Sequence, residues 1–159
     1  MDVDRRRELV ATATDLLPTL EQAVTSGWGE MSRGSGSWPP EAMSRARDAV
    51  RATLEGVVMS LELGDVDEDT WVSVRDHLER AESPELPVAD LLRGVRVVGL
   101  ETLVAHLDAR CHLRPDERWT VQRQVDAFCQ QLGDVEDVID QAAVTGLLAR
   151  LEADGPDVA

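Results

Sequence analysis

Between Val121 and Ala142 the apolar residues Val121, Val125, Phe128, Leu132, Val135, Ile139 and Ala142 recur at intervals of four, three, four, three, four and three. A strand shows its two faces alternately, so this spacing excludes sheet and requires a long α-helix with a single apolar seam. The helix is predicted from about Asp116 to Glu152. Strict heptad spacing suits a partner helix, so Val121, Val125, Phe128, Leu132, Val135 and Ile139 are candidates for a homodimer interface in a shared intermolecular bundle. Near-antiparallel helices within one chain use the same geometry, and packing inside the chain's own bundle is the competing expectation. Gly133 weakens the centre of this helix, and Gly146 is expected to end the seam.

The remaining segments also read as helices. Leu9, Ala13, Leu16, Leu20 and Val24 form an amphipathic stripe, which Pro18 is expected to kink or restart. Residues 25–40 gather Gly, Ser and Pro around Trp28 and Trp38 and predict an irregular loop. From Glu41 a second stripe, Met43, Ala46, Val50, Leu54, Val57 and Leu61, closes at Gly64, where a left-handed cap is tolerated. Asp67 reads as the N-cap of a third helix carrying Trp71, Val74, Leu78 and Ala81, ended by Ser83-Pro84. A fourth helix follows Pro87 and runs to about Arg110, with Leu92, Val95, Gly99, Leu103 and His106 on one face, until Arg114-Pro115 breaks it. No segment alternates like a strand and no solenoid repeat appears. The expected fold is all-α, a bundle of five or six helices in one domain over residues 1–153, with a disordered tail at 154–159.

A chain of 159 residues can bury one sizeable core without disulfides or a structural metal. Its formal charge of −15 excludes the usual counterion-releasing mode of nucleic-acid binding and disfavours anionic membrane surfaces. The first residues lack the apolar stretch of a signal peptide and no run has the length of a membrane span, so a cytoplasmic protein is expected. Cys111 and Cys129 make no C-x-x-C pair and read as buried small hydrophobes.

Several constellations carry residue types capable of chemistry. Asp65-x-Asp67-x-Asp69 has the alternating carboxylates that open a calcium loop, but Thr70 stands where Gly is needed and Asp76 where a bidentate Glu is needed, so capping explains the acids better. His106, Asp108, Cys111 and His112 are metal-ligand types on neighbouring turns, and His77 or His106 could serve as an axial haem ligand; both readings rank below ordinary helical residues. Ser35 and Ser37 lie in no nucleophile elbow, and Gly27-x-Gly29 lacks both the third glycine and the preceding strand of a dinucleotide fingerprint. No catalytic set, metal site or cofactor is predicted. Arg93 and Arg96, three apart on the fourth helix, share a face able to meet a partner's carboxylate. Trp28 and Trp38 are candidates either for a lid over the apolar interior or for anchors of their loop.

The stretch Leu86-Pro87-Val88-Ala89-Asp90-Leu91-Leu92-Arg93-Gly94-Val95-Arg96-Val97-Val98-Gly99 resembles a signature of the RsbT co-antagonist (RsbRD-type) N-terminal domain, which also heads PucR-type regulators of actinobacteria. Pro87, Val88, Leu91, Leu92, Arg93 and Arg96 match it, whereas Gly94 and Val95 depart from its small–aromatic pair. Helix order and length look similar over residues 5–150. The resemblance implies a helical sensory domain, globin-like without haem, that dimerises and passes a signal to an effector. The functional expectation is therefore a regulatory sensor or protein-interaction domain, a homodimer with a protein partner in bacterial transcription or stress signalling. A haem-, metal- or small-ligand-binding helical protein is the alternative.

Overall fold

The computed structural model describes residues 1–28 and 38–155. Among these residues the chain is helical and without strands, an all-α bundle of five helices. They are α1 (Val3–Ser26), α2 (Pro40–Leu63), α3 (Glu68–Ala81), α4 (Val88–Cys111) and α5 (Pro115–Asp154). Helix α4 is continuous in three stretches: α-helical over Val88–Gly94, π-helical over Val95–Leu100 and α-helical again over Glu101–Cys111. Most of the predicted 25–40 loop, including Ser35 and Ser37, lies outside the described residues, as do residues 156–159 of the predicted tail. Among the described residues no helix is long and apolar enough to cross a membrane.

The helix boundaries follow local chemistry. A side-chain oxygen at an N-cap satisfies a backbone donor that the helix leaves free. Asp2 does this for α1, its carboxylate accepting the Arg5 N–H at 2.7 Å, and Asp67 does it for α3 by accepting the Thr70 N–H at 2.8 Å. Gly64 ends α2 with φ of 81°. That left-handed conformation is one that glycine adopts without strain. Pro18 does not end α1, which runs on to Ser26 and buries all five residues of its stripe. Similarly, α5 passes through both Gly133 and Gly146 without interruption.

Helix α2 is central and packs against α1, α3, α4 and α5. Its buried face is correspondingly wide and built partly from small residues, Ala42, Ala46, Ala49 and Gly56 among them, so that neighbours approach closely. The Phe128 ring of α5 lies over Gly56, where an added Cβ would sit 3.2 Å from it, and Trp71 of α3 stacks on the same ring with centroids 4.9 Å apart. Thr53 is buried but satisfied, its hydroxyl donating to the Ala49 carbonyl at 2.7 Å. A buried hydroxyl without such a partner would be costly.

The π turn in α4 has a cause in the sequence. Its buried residues Val88, Leu91, Leu92, Val95 and Gly99 follow one stripe, and Leu100, Leu103, Leu107 and Cys111 follow another displaced by one residue. On an ideal helix that displacement is a rotation of roughly 100°. A π turn accommodates one extra residue, so both stripes face the same core. Gly99 lies at this junction, where an added Cβ would stand 3.2 Å from Val24 and 3.4 Å from Leu54. The same displacement corrects the expectation for His106: Leu107 occupies the core face, and His106 is only half-buried.

Candidate functional site

Helix α5 has forty residues. At about 1.5 Å of rise per residue it is roughly 60 Å long. Its first part is rooted in the bundle: Val121, Val125, Phe128, Leu132 and Ile139 are buried, and Val135 packs partly buried against the core. The heptad seam is thus intramolecular. A partner would have to open the bundle to reach it, which corrects the assignment of these six residues to a dimer interface. The physical reason is that the core of α1–α4 supplies the apolar surface that a second copy would otherwise provide.

Beyond Ile139 the helix leaves the bundle, and every residue from 140 to 155 is exposed. This free end is not uniformly polar. Val144, Leu147, Leu148 and Leu151 are between 51 and 58 % exposed and form a short apolar stripe. At about 100° per residue the stripe is centred roughly 120° around the helix from the buried seam. It therefore does not continue the core face but presents a different one. Asp140 and Asp137 lie one and two turns nearer the bundle on the same face. Both are exposed, and neither forms an ion pair among the described residues.

A second polar assembly ties three helix ends together. Glu117, in the first turn of α5, is only 2 % exposed. Its carboxylate accepts two bonds from the Arg5 guanidinium, at 2.7 Å from Nε and 3.2 Å from Nη2, and another from the Arg114 backbone N–H at 3.0 Å. Arg5 Nη2 also donates to the Cys111 carbonyl at the end of α4, at 2.6 Å. Acid at a helix start and base at a helix end both complement the helix dipoles. The Arg5 hydrogen bond foremost, then the Arg114 N–H, lowers the Glu117 carboxyl from 4.5 to about 2. The carboxylate is fully engaged by the protein, and the role of this clasp is structural.

The other predicted residues fall apart from one another. Arg93 is exposed beside Asp90 at 3.5 Å, while Arg96 reaches across to α5 and meets Glu136 at 3.2 Å, passing 3.8 Å from where a Cβ on Gly133 would be. Trp28 and Trp38 are both buried, with their ring centroids 5.8 Å apart. Trp38 Nε1 has no hydrogen-bond partner among the described residues. Asp65 accepts the N–H of its neighbour Val66 at 2.8 Å, Asp67 caps α3, and hydrogen bonds from Thr70 lower the Asp67 carboxyl from its ordinary value. His77 and His106 each place Nδ1 against the carbonyl four residues earlier, Ser73 at 2.7 Å and Thr102 at 2.8 Å. Because a carbonyl only accepts, Nδ1 carries the proton in both.

A cleft of about 440 Å³ forms an open groove between α2 and α3, lined by Asp48, Arg51, Glu55, Asp69 and His77 among others. Arg51 is held by Glu21 at 3.1 Å. Among the described residues no three His, Cys, Asp or Glu side chains gather to hold a metal. Trp119 is 63 % exposed on α5, with Arg123 over its ring at 5.2 Å. Sequence reasoning missed the free stripe, although Val144, Leu148 and Leu151 repeat at helical spacing. It also missed the Arg5–Glu117 pair, whose only local signal was Glu117 three residues after Arg114, the spacing of a capping box. Compared with known proteins, the chain matches no family model, no curated protein and no solved structure.

Proposed function

We propose that the chain is a regulatory protein-interaction domain without catalytic chemistry of its own, in which the bundle is a rigid mount and the free end of α5 is the working surface. The observation that carries this reading is the stripe of Val144, Leu147, Leu148 and Leu151, exposed on a helix segment that contributes nothing to the core. Apolar side chains held in water on a preformed helix are the usual groundwork of helix recognition by another protein. The likeness of residues 86–99 to the RsbT co-antagonist signature agrees in kind, since that family serves bacterial stress and transcription signalling through protein contacts.

The test is genetic and biochemical together. In the host cell, Leu148→Asp with Leu151→Asp is expected to accumulate normally and melt like the wild type, yet to behave as a deletion of the gene. Full complementation by this double variant would overturn the reading.

A further inference from the structure

We propose, resting on the interaction reading above, that the free end of α5 receives a basic amphipathic helix of another protein. The partner's apolar seam would lie on Val144, Leu147, Leu148 and Leu151, and its Lys or Arg flanks on Asp137 and Asp140.

Two observations bear on the occupant: area sets how far the contact must run, and charge selects a basic helix over a second copy of the chain. The first is area. Each of the four aliphatic side chains is about half exposed. Together they supply on the order of 200 Å² of apolar surface. A stable interface needs about 800 Å² from each partner, so the contact must extend along the helix. The second is charge. Towards the bundle the face continues through Asp140 and Asp137, and towards the end of α5 it is flanked by Glu152 and Asp154. Arg150, the one base between residues 140 and 155, turns roughly 110° away from the stripe. An antiparallel second copy centred on the stripe would set Asp140 near Asp154, and a parallel copy would set each acid against itself. Such juxtapositions oppose association. A basic helix meets the same acids with opposite charge, and a contact from Asp137 to Asp154 covers roughly 27 Å of helix, about five turns.

The experiment uses the full chain and a fluorescein-labelled heptad peptide with a Leu seam and Lys/Arg flanks, read by anisotropy. A peptide with the same seam and Glu flanks is the control. The basic peptide is expected to bind saturably, about tenfold or more weakly when salt rises from about 50 mM to about 500 mM, and the acidic one not at all. Asp137→Asn with Asp140→Asn is expected to weaken binding several-fold. Leu148→Asp with Leu151→Asp separates docking from diffuse attraction: it adds negative charge, so non-specific binding would strengthen, whereas seam docking falls at least about tenfold. Circular dichroism confirms that the variants remain folded. Binding unchanged or strengthened in that double variant overturns the proposal. If the basic peptide fails to bind but sedimentation shows a dimer abolished by Leu148→Asp, the proposal fails and the interaction reading survives with a second copy as occupant. If no association depends on the stripe, both fail.

Discussion

Glu117 is the residue on which the joint between chain start and last helix turns. It lies 112 positions from Arg5. A buried carboxylate deprived of its guanidinium would be left with an uncompensated charge. Its carboxyl titrates at about 2 in the fold against 4.5 ordinarily. A lowered folded-state value means that the clasp is fully formed above the ordinary value and is lost as pH falls from there towards the folded one. Glu117→Gln is therefore expected to lower the Tm at neutral pH, with a gap from the wild type that narrows as pH is taken down through that window. A gap independent of pH would show that the lost contact is not ionic. At the same scale two leucines of α5 should behave oppositely, Leu132 being fully buried and Leu148 exposed. Replacing Leu132 by Ala is expected to cost about 2–5 kcal/mol, and replacing Leu148 to change stability by less than about 0.5 kcal/mol; urea denaturation measures both. The sequence sets the two apart, since Leu132 lies on the heptad seam and Leu148 does not, but spacing alone does not say which of the two apolar stripes other helices bury.

Among the elements, α4 shows how a helix keeps its register when its apolar pattern does not. The stripe from Val88 to Gly99 and the stripe from Leu100 to Cys111 disagree by one residue, and the π turn at Val95–Leu100 removes the disagreement. Deleting the exposed Val97 is expected to convert the turn to α-helix while leaving both stripes on the core, so the variant should still melt cooperatively. Deleting Ala105, also exposed but in the α-helical stretch, rotates Leu107 and Cys111 off the core and is expected to abolish the cooperative transition. Thermal denaturation followed by circular dichroism compares the two, and loss of folding in both would remove the register argument. The displaced stripe is present in the sequence, yet a reading that continues the first face from Leu103 to His106 passes over it. Other element features were plain: the stripe of α1, the Gly64 stop and the Asp67 cap depend on residues within a few turns of each other, where spacing and side-chain chemistry suffice. The Arg5 clasp and the Arg96–Glu136 pair join distant positions in a chain rich in both charges, and nothing local marks which acid each arginine will meet.

For the whole molecule, the heptad seam shows where sequence reasoning stops. Val121 to Ile139 repeat as a coiled-coil seam would, and the structure places the seam against the chain's own helices. Period alone does not say whose helix fills the facing groove. The proposed working surface lies instead where the repeat changes face, after Ile139. A chain shortened to residues 1–143 is accordingly expected to keep the wild-type Tm, and amides of residues 144–154 in the full chain to exchange with solvent far faster than those around Leu132. A Tm lowered by the truncation would mean that the free end supports the bundle after all.

A helix held at one end and bare at the other is a lever. Ile139 is its last buried residue and Asp154 its tip. The span between them is roughly 22 Å, so a tilt of about 10° at the root carries the tip about 4 Å. The fulcrum lies where Leu132 and Ile139 enter the core beside the Arg96–Glu136 pair, so small repacking there would be read out at the stripe as displacement. Whatever binds the stripe would, by the same mechanics, pull back on the core.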